Sequence, residues 1–294
     1  MKYRAIGLAF LSFAVLPVLT ADGQYAKETQ EWNRPVEPFR IIGNIYYVGA
    51  SDITSYLIAT PAGFIIIDGG FNETVPQIQK NIKKLGFDLK DVKILLNSHA
   101  HYDHAGGLAT LKFLTGAKMC ATRADAVLLE AGGKGDYLFG DRLLFRPVKV
   151  DRLLDDGDKV ELGGTVLTAH LTPGHTRGNT TWTMTVMENG KRYDVVFAGS
   201  TTINPGTKLV GNDKYSTIAE DYAKSFRVLK SLHCDVFLGP HASFYSLEEK
   251  RKKLAGGSEP NPFVDPDGYA AFIARTEKVY LDQLTREQQA AQGH

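Results

Sequence analysis

Residues 97–107 read NSHAHYDHAGG and hold three histidines and one aspartate between positions 99 and 104. The residues just before, VKILLNS, are apolar and β-branched, and read as a strand that runs straight into the cluster. Side chains two apart on a strand share a face, so His99 and His101 can converge on one ion. Asp103 and His104 fall where the strand gives way to a helix expected over Ala105–Leu114, and a turn there can aim both at a second point close by. Burying so many ionisable groups without a cation would be costly. The stretch reads as a metal site.

Two further histidines occupy similar places. His175 lies in TPGHTRG and His241 in LGPHAS, each in a loop after an expected strand, where a rigid sheet usually presents binding groups. Five histidines and an aspartate suffice for two adjacent divalent ions with water at the open positions. Nitrogen-rich ligation without thiolate favours zinc and leaves iron or manganese open. The remaining histidines have ordinary readings: His170 within a strand, His233 near a helix C-terminus where a cation is favoured, and His294 at the chain end.

Outward from the cluster, the segments IIGNIYYVGA, ITSYLIAT and GFIIIDGG read as strands from Ile41. Val75, Ile78, Ile82 and Leu85 then recur at helical spacing, with Asn72 or Thr74 available as a cap and Gly86 as a stop. Later strands are expected at Lys159–Leu162, Thr165–His170, Thr180–Met187, Tyr193–Ala198 and Asp235–Leu238. Helices are expected over Ser216–Leu232 and from about Asp267. Strand runs followed by helices suggest an α/β chain with two sheets face to face and helices outside. The stretch from Gly132 to Pro147 reads as an exposed loop that could act as a lid. Residues 22–38 are polar, carry Pro35 and Pro38, and read as a loose lead-in.

The first residues read as an export signal spanning 1–21: Lys2 and Arg4, an apolar run Ala5–Leu16, then Pro17 and a small-residue exit ending at Ala21. The run is too short to span a bilayer and no later stretch approaches that length, so an exported, soluble mature protein in the periplasm is expected. The net charge is +1. Lys250–Lys253 follow Glu248 and Glu249, which is the pattern of a solvated helix face, so no nucleic-acid partner is expected. Cys120 and Cys234 lie in apolar runs, and two free, buried thiols are expected, with one disulfide as the alternative.

HAHYDH, with PGHT and GPH downstream, resembles the metallo-β-lactamase superfamily over about Ile41 to Tyr280. The resemblance implies an αββα sandwich: two packed mixed sheets, helices on the outer faces and a metal site at one edge. It also implies a single domain over 39–294, in two similar halves dividing near 190–200. One zinc would be held by His99, His101 and His175, the other by Asp103, His104 and His241. Where glyoxalase II and lactonases place a metal-bridging aspartate after the strand VVFAG, this chain has Ser200. In the family, β-lactamases of the first two subclasses carry cysteine there and those of the third carry serine.

The resemblance therefore implies hydrolysis of the β-lactam bond of penicillins, cephalosporins and carbapenems by a metal-bound hydroxide, without an acyl-enzyme. Asp103 would orient the hydroxide and handle a proton, while Ser200 and Thr202 would bind the substrate carboxylate. A monomer acting on small molecules is expected. Thr207 stands where several relatives have tyrosine, and Arg177 replaces a common proline and is expected to face solvent. The chain has no S-x-x-K and no G-x-S-x-G, which excludes the serine-nucleophile hydrolases that need them. The alternative is another di-zinc hydrolase, acting on a lactone, a thioester or a sulfate ester.

Overall fold

The computed structural model describes residues 29–292. The export signal, the first part of the lead-in and His294 lie outside the described residues. No described helix is long and apolar enough to cross a membrane.

Two sheets form the frame. The first contains β1 (Phe39–Ile42), β2 (Ile45–Tyr47), β3 (Tyr56–Thr60), β4 (Gly63–Ile67), β5 (Val92–Leu96), β6 (Lys118–Thr122) and β7 (Arg152–Leu154), paired in that order. It begins antiparallel and turns parallel from β4 onward. The second runs β12 (Val236–Leu238), β11 (Lys191–Phe197), β10 (Thr180–Glu188), β9 (Thr165–Leu171) and β8 (Lys159–Leu162). It is antiparallel except for β11 with β12.

Alternation along the strands builds the layers. In GFIII, Ile65 and Ile67 join a core shared with Leu167, Trp182 and Phe197 of the second sheet. Phe64 and Ile66 point the other way, against helices α1 (Val75–Lys84), α3 (Leu108–Thr115) and α4 (Arg123–Ala131). That period of two, buried on both faces, is what a covered parallel strand requires. Helices α5 (Ile218–Ser231) and α7 (Pro266–Gln292) cover the second sheet through Tyr222, Phe226, Phe272 and Tyr280. The result is the αββα sandwich.

The helix expected over Ala105–Leu114 is broken. A single turn, α2 (Tyr102–Ala105), precedes α3, with Gly106 and Gly107 between them. The reason is steric. A Cβ on Gly107 would run into the Gly69 carbonyl, and the Gly107 amide donates to Gly70 O at 3.0 Å. The break leaves Asp103 and His104 on a short turn of their own.

The lead-in departs from expectation too. Residues 29–32 form a helical turn, the amides of Asp52 and Ile53 donate to Trp32 O, and Ser51 N donates to Arg34 O. The chain is held down here because the turn at 51–53 has backbone donors that need acceptors. On α6 (Leu247–Ala255), Glu248 and Glu249 pair with Arg251, Lys252 and Lys253 as the sequence suggests, whereas Lys250 is buried and pairs with Asp265 at 2.7 Å. Cys120 and Cys234 are free and buried.

Candidate metal centre

The carboxyl ends of β5, β9, β11 and β12 lie along one edge of the sandwich, and every predicted ligand follows one of them. His99 and His101 come after β5, with Asp103 and His104 on α2. His175 sits between β9 and β10, and His241 follows β12. One donor atom from each of His99, His101 and His175 lies within 4.8 Å of the others, and the same holds for His99, Asp103 and His104. Asp103 Oδ2 is 3.2 Å from His104 Nε2 and 3.7 Å from His241 Nε2. All six side chains predicted from sequence are therefore brought together.

The outward nitrogens of His99, His175 and His241 are tied to partners. His175 Nδ1 donates to Thr202 O at 2.7 Å, which leaves its Nε2 lone pair facing inward. His99 Nδ1 meets Ser98 Oγ at 3.0 Å, and His241 Nδ1 donates to Asp52 Oδ2 at 2.9 Å. Asp136 Oδ2 approaches His101 Nε2 at 3.5 Å, and Asp68 Oδ2 lies 3.7 Å from His104 Nδ1. Asp52, Asp68 and Asp136 were not singled out in the sequence.

The donor set fits a cation. His101 Nε2 and both ring nitrogens of His104 are buried without a well-aligned hydrogen bond, although buried polar atoms are normally paired. Burial and the neighbouring imidazoles hold His99 well below the usual histidine range, and burial with His101 pushes His175 down to about 3. Against burial, which favours the neutral acid, His104 and His241 hold Asp103 well below the usual carboxylate range. Neutral His99 and His175 beside an ionised Asp103 are the protonation states metal binding requires, whereas, against burial, Asp103 and Asp68 raise His104, whose proton a bound cation would displace.

Above the donors opens a cavity of about 410 Å³, walled by Trp32, Phe139, Leu143 and Pro205 and by the polar Thr202, Asn204 and Asp136. The loop 132–147 supplies Gly133, Asp136, Phe139 and Leu143 to this wall. Trp32 comes from the lead-in, its ring edge-on to His241 at 5.6 Å. Thr202 lines the cavity, while Ser200 lies behind it, 2% exposed, with its Oγ 3.0 Å from Thr202 Oγ1. Arg177 is exposed and stacks 4.0 Å over the Tyr215 ring, in keeping with the solvent-facing expectation. Thr207 is buried outside the lining. His170 pairs with Thr183 and the exposed His233 with Asp194, both away from the centre.

The sequence pattern of the metallo-β-lactamase superfamily matches residues 48–241, from just after β2 through the last of these ligands. The chain belongs to the metallo-β-lactamase superfamily. Within it, the fold is similar to that of FEZ-1 metallo-β-lactamase from Legionella gormanii, with 48% identity, a TM-score of 0.86, and 87% of this chain and 98% of that one covered. It is also similar to BJP-1, a subclass B3 metallo-β-lactamase of Bradyrhizobium japonicum: 40% identity, TM-score 0.83, 89% and 98% covered. Both likenesses make the chain an enzyme of this superfamily. A hydroxyacylglutathione hydrolase of Polaromonas sp. is 32% identical over 136 residues, 44% of this chain, and the chain spans only 43% of that protein's length.

Proposed function

We propose that the protein hydrolyses the β-lactam amide of penicillins, cephalosporins and carbapenems with two zinc ions. The observation that carries this reading is the likeness to FEZ-1 metallo-β-lactamase at 48% identity over 98% of that enzyme's length. Ser200 supports it, because an uncharged hydroxyl turned toward Thr202 supplies no bridging carboxylate.

His99, His101 and His175 would hold one ion and Asp103, His104 and His241 the other. When bound, the pair would supply Lewis acidity and acidify water enough to provide a nucleophile near neutral pH. Asp103, ionised and wedged between His104 and His241, orients the attacking water by accepting its hydrogen bond; a carboxyl held so far below the usual range does not keep the proton, which passes to the lactam nitrogen as the C–N bond opens. Thr202 Oγ1 donates to the substrate carboxylate, and Ser200 Oγ holds Thr202 in the rotamer that does so. Trp32, Phe139 and Leu143 pack on the substrate's apolar side group and exclude water from the reacting bond. Residues 39–294 would act as one domain and a monomer, exported to the periplasm by the signal at 1–21.

The likeness to hydroxyacylglutathione hydrolase favours a second reading, a thioesterase. Against it, no lysine or arginine lines the cavity among the described residues, so the two carboxylates of a glutathione thioester would find no cationic side chain. The test is an assay of purified protein against a penicillin, a cephalosporin, a carbapenem and a glutathione thioester, with and without a chelator. Chelator-sensitive lactam opening is expected; thioester turnover with inert lactams would overturn the reading.

A further inference from the structure

Asp125 is a fully buried carboxylate, 0% exposed, on the first turn of α4 and outside the donor set. Its two oxygens are spoken for by different parts of the chain. Oδ2 accepts from Asn97 Nδ2 at 2.8 Å and Oδ1 from Thr176 Oγ1 at 3.0 Å. Asn97 directly follows β5, two residues before His99, and Thr176 directly follows His175. One carboxylate thus spans a histidine-bearing segment from each sheet without touching a histidine.

The surroundings leave this link little slack. A Cβ on Gly178 would lie 2.5 Å from Asp125 Oδ1, so the loop after His175 presses directly on α4. Thr122 Oγ1 donates to Gly178 O at 2.9 Å, Thr180 N donates to Ser98 O at 2.7 Å, and Trp182 Nε1 donates to Asn97 O at 3.0 Å. Among the described residues, no lysine or arginine pairs with Asp125. Burial raises its carboxyl to about 6, and the two neutral donors, with the positive end of α4, keep it ionised at neutral pH. A buried charge on such terms costs several kcal/mol of desolvation, and an apolar residue would pack there at less cost. What the carboxylate adds is two charge-assisted hydrogen bonds of fixed length and direction.

We infer that Asp125 is a positioning residue for the three-histidine set: by bridging Asn97 and Thr176 it fixes the separation of His99 and His101 from His175 across the two sheets. The inference rests on these histidines being ligands, as proposed above. Outer partners that orient metal ligands typically contribute about 10–100-fold in metal affinity. Asp125 would act one bond further out, through the backbone of both loops.

The test is metal binding, read independently of any substrate. Wild type, Asp125→Asn, Thr176→Val and the exchange Asn97→Asp with Asp125→Asn are titrated with zinc against a chromophoric chelator. Their cobalt forms are compared by visible absorption. Asp125→Asn leaves one neutral acceptor where there were two charged ones and forces the Thr176 hydroxyl or the Asn97 amide to reverse its role, so about tenfold weakening of one ion and an altered cobalt spectrum are expected. Thr176→Val, which removes only one of the two bonds, should show a smaller change of the same kind. The exchange restores a donor and an acceptor at the same place and should recover affinity and spectrum.

If Asp125→Asn binds both ions with wild-type affinity and spectrum, the inference fails. It fails equally if Asp125→Asn unfolds while Thr176→Val leaves metal binding unchanged, or if the exchange rescues thermal stability but not the spectrum. A wild type that takes up no metal would instead sink the ligand assignment itself.

Discussion

Asp52 and His241 stand 189 positions apart in the chain, and Asp52 Oδ2 accepts from His241 Nδ1 at 2.9 Å. The same carboxylate accepts from Ser243 N at 2.8 Å, and the Asp52 carbonyl accepts from Ala242 N. Three bonds from one residue fix the loop after β12. They also set which ring nitrogen of His241 turns toward Asp103. Although burial opposes it, His241 and Ser243 hold the Asp52 carboxyl below the usual range, so the acceptor stays ionised.

Asp52→Ala should therefore weaken retention of the ion assigned to Asp103, His104 and His241 by about 10–100-fold. Zinc competition against a chelator reads this directly. Wild-type retention in a folded variant would mean that His241 needs no such orientation.

Thr202 and Ser200 separate binding from support. Thr202→Val should raise KM for a lactam about 3- to 10-fold, the loss of one hydrogen bond, with kcat less affected. Ser200→Ala should do the same more weakly, because its hydroxyl acts through Thr202. Steady-state kinetics that place the larger KM effect at Ser200 would reverse the two roles.

Trp32→Ala removes one wall of the cleft. Aromatic contacts are worth about 0.5–1.5 kcal/mol, which corresponds to a roughly 2- to 12-fold rise in KM for substrates with a bulky aromatic side group. Substrates with a small side group should be nearly unaffected. An equal effect on both would show that the ring acts on His241 rather than on substrate.

Gly107→Ala should destabilise the fold by about 1–3 kcal/mol, since the added methyl meets the Gly69 carbonyl rather than a yielding side chain. Urea unfolding measures it. An unchanged midpoint would mean that the 69–70 loop can move aside.

Burial lifts the Cys234 thiol to about 12 and raises Cys120 as well. A raised pKa keeps a thiol protonated and inert through the neutral and mildly alkaline range. Ellman's reagent should therefore find no fast-reacting thiol in native protein at pH 8, and two after denaturation. Rapid native labelling would contradict the burial of both.

The six donors were legible because ligand spacing is a local property. His99 and His101 sit two apart after a strand, and His175 and His241 occupy the same kind of strand-end loop. Helix α4 was not legible. Its buried side carries Asp125 among Ala126 and Leu129, and a carboxylate interrupts the apolar stripe that would have revealed the helix. Trp32 was hidden for another reason. The lead-in is held through carbonyls of Trp32 and Arg34, and a backbone acceptor leaves no mark on composition. Ser200 was identifiable as a residue type, but the direction of its hydroxyl depends on Thr202 and Asn179, which only packing decides.

The donors come from both leaves of the sandwich, His99 and His101 from one and His175 and His241 from the other. A metal held there would work as a clasp on the open edge, where the two sheets could otherwise part. Its binding free energy would then add to the resistance of the whole chain to unfolding, by about 2.7 kcal/mol at a hundredfold excess over Kd. Scarce zinc would act on such a protein twice, emptying the site and shortening the life of the chain that carries it.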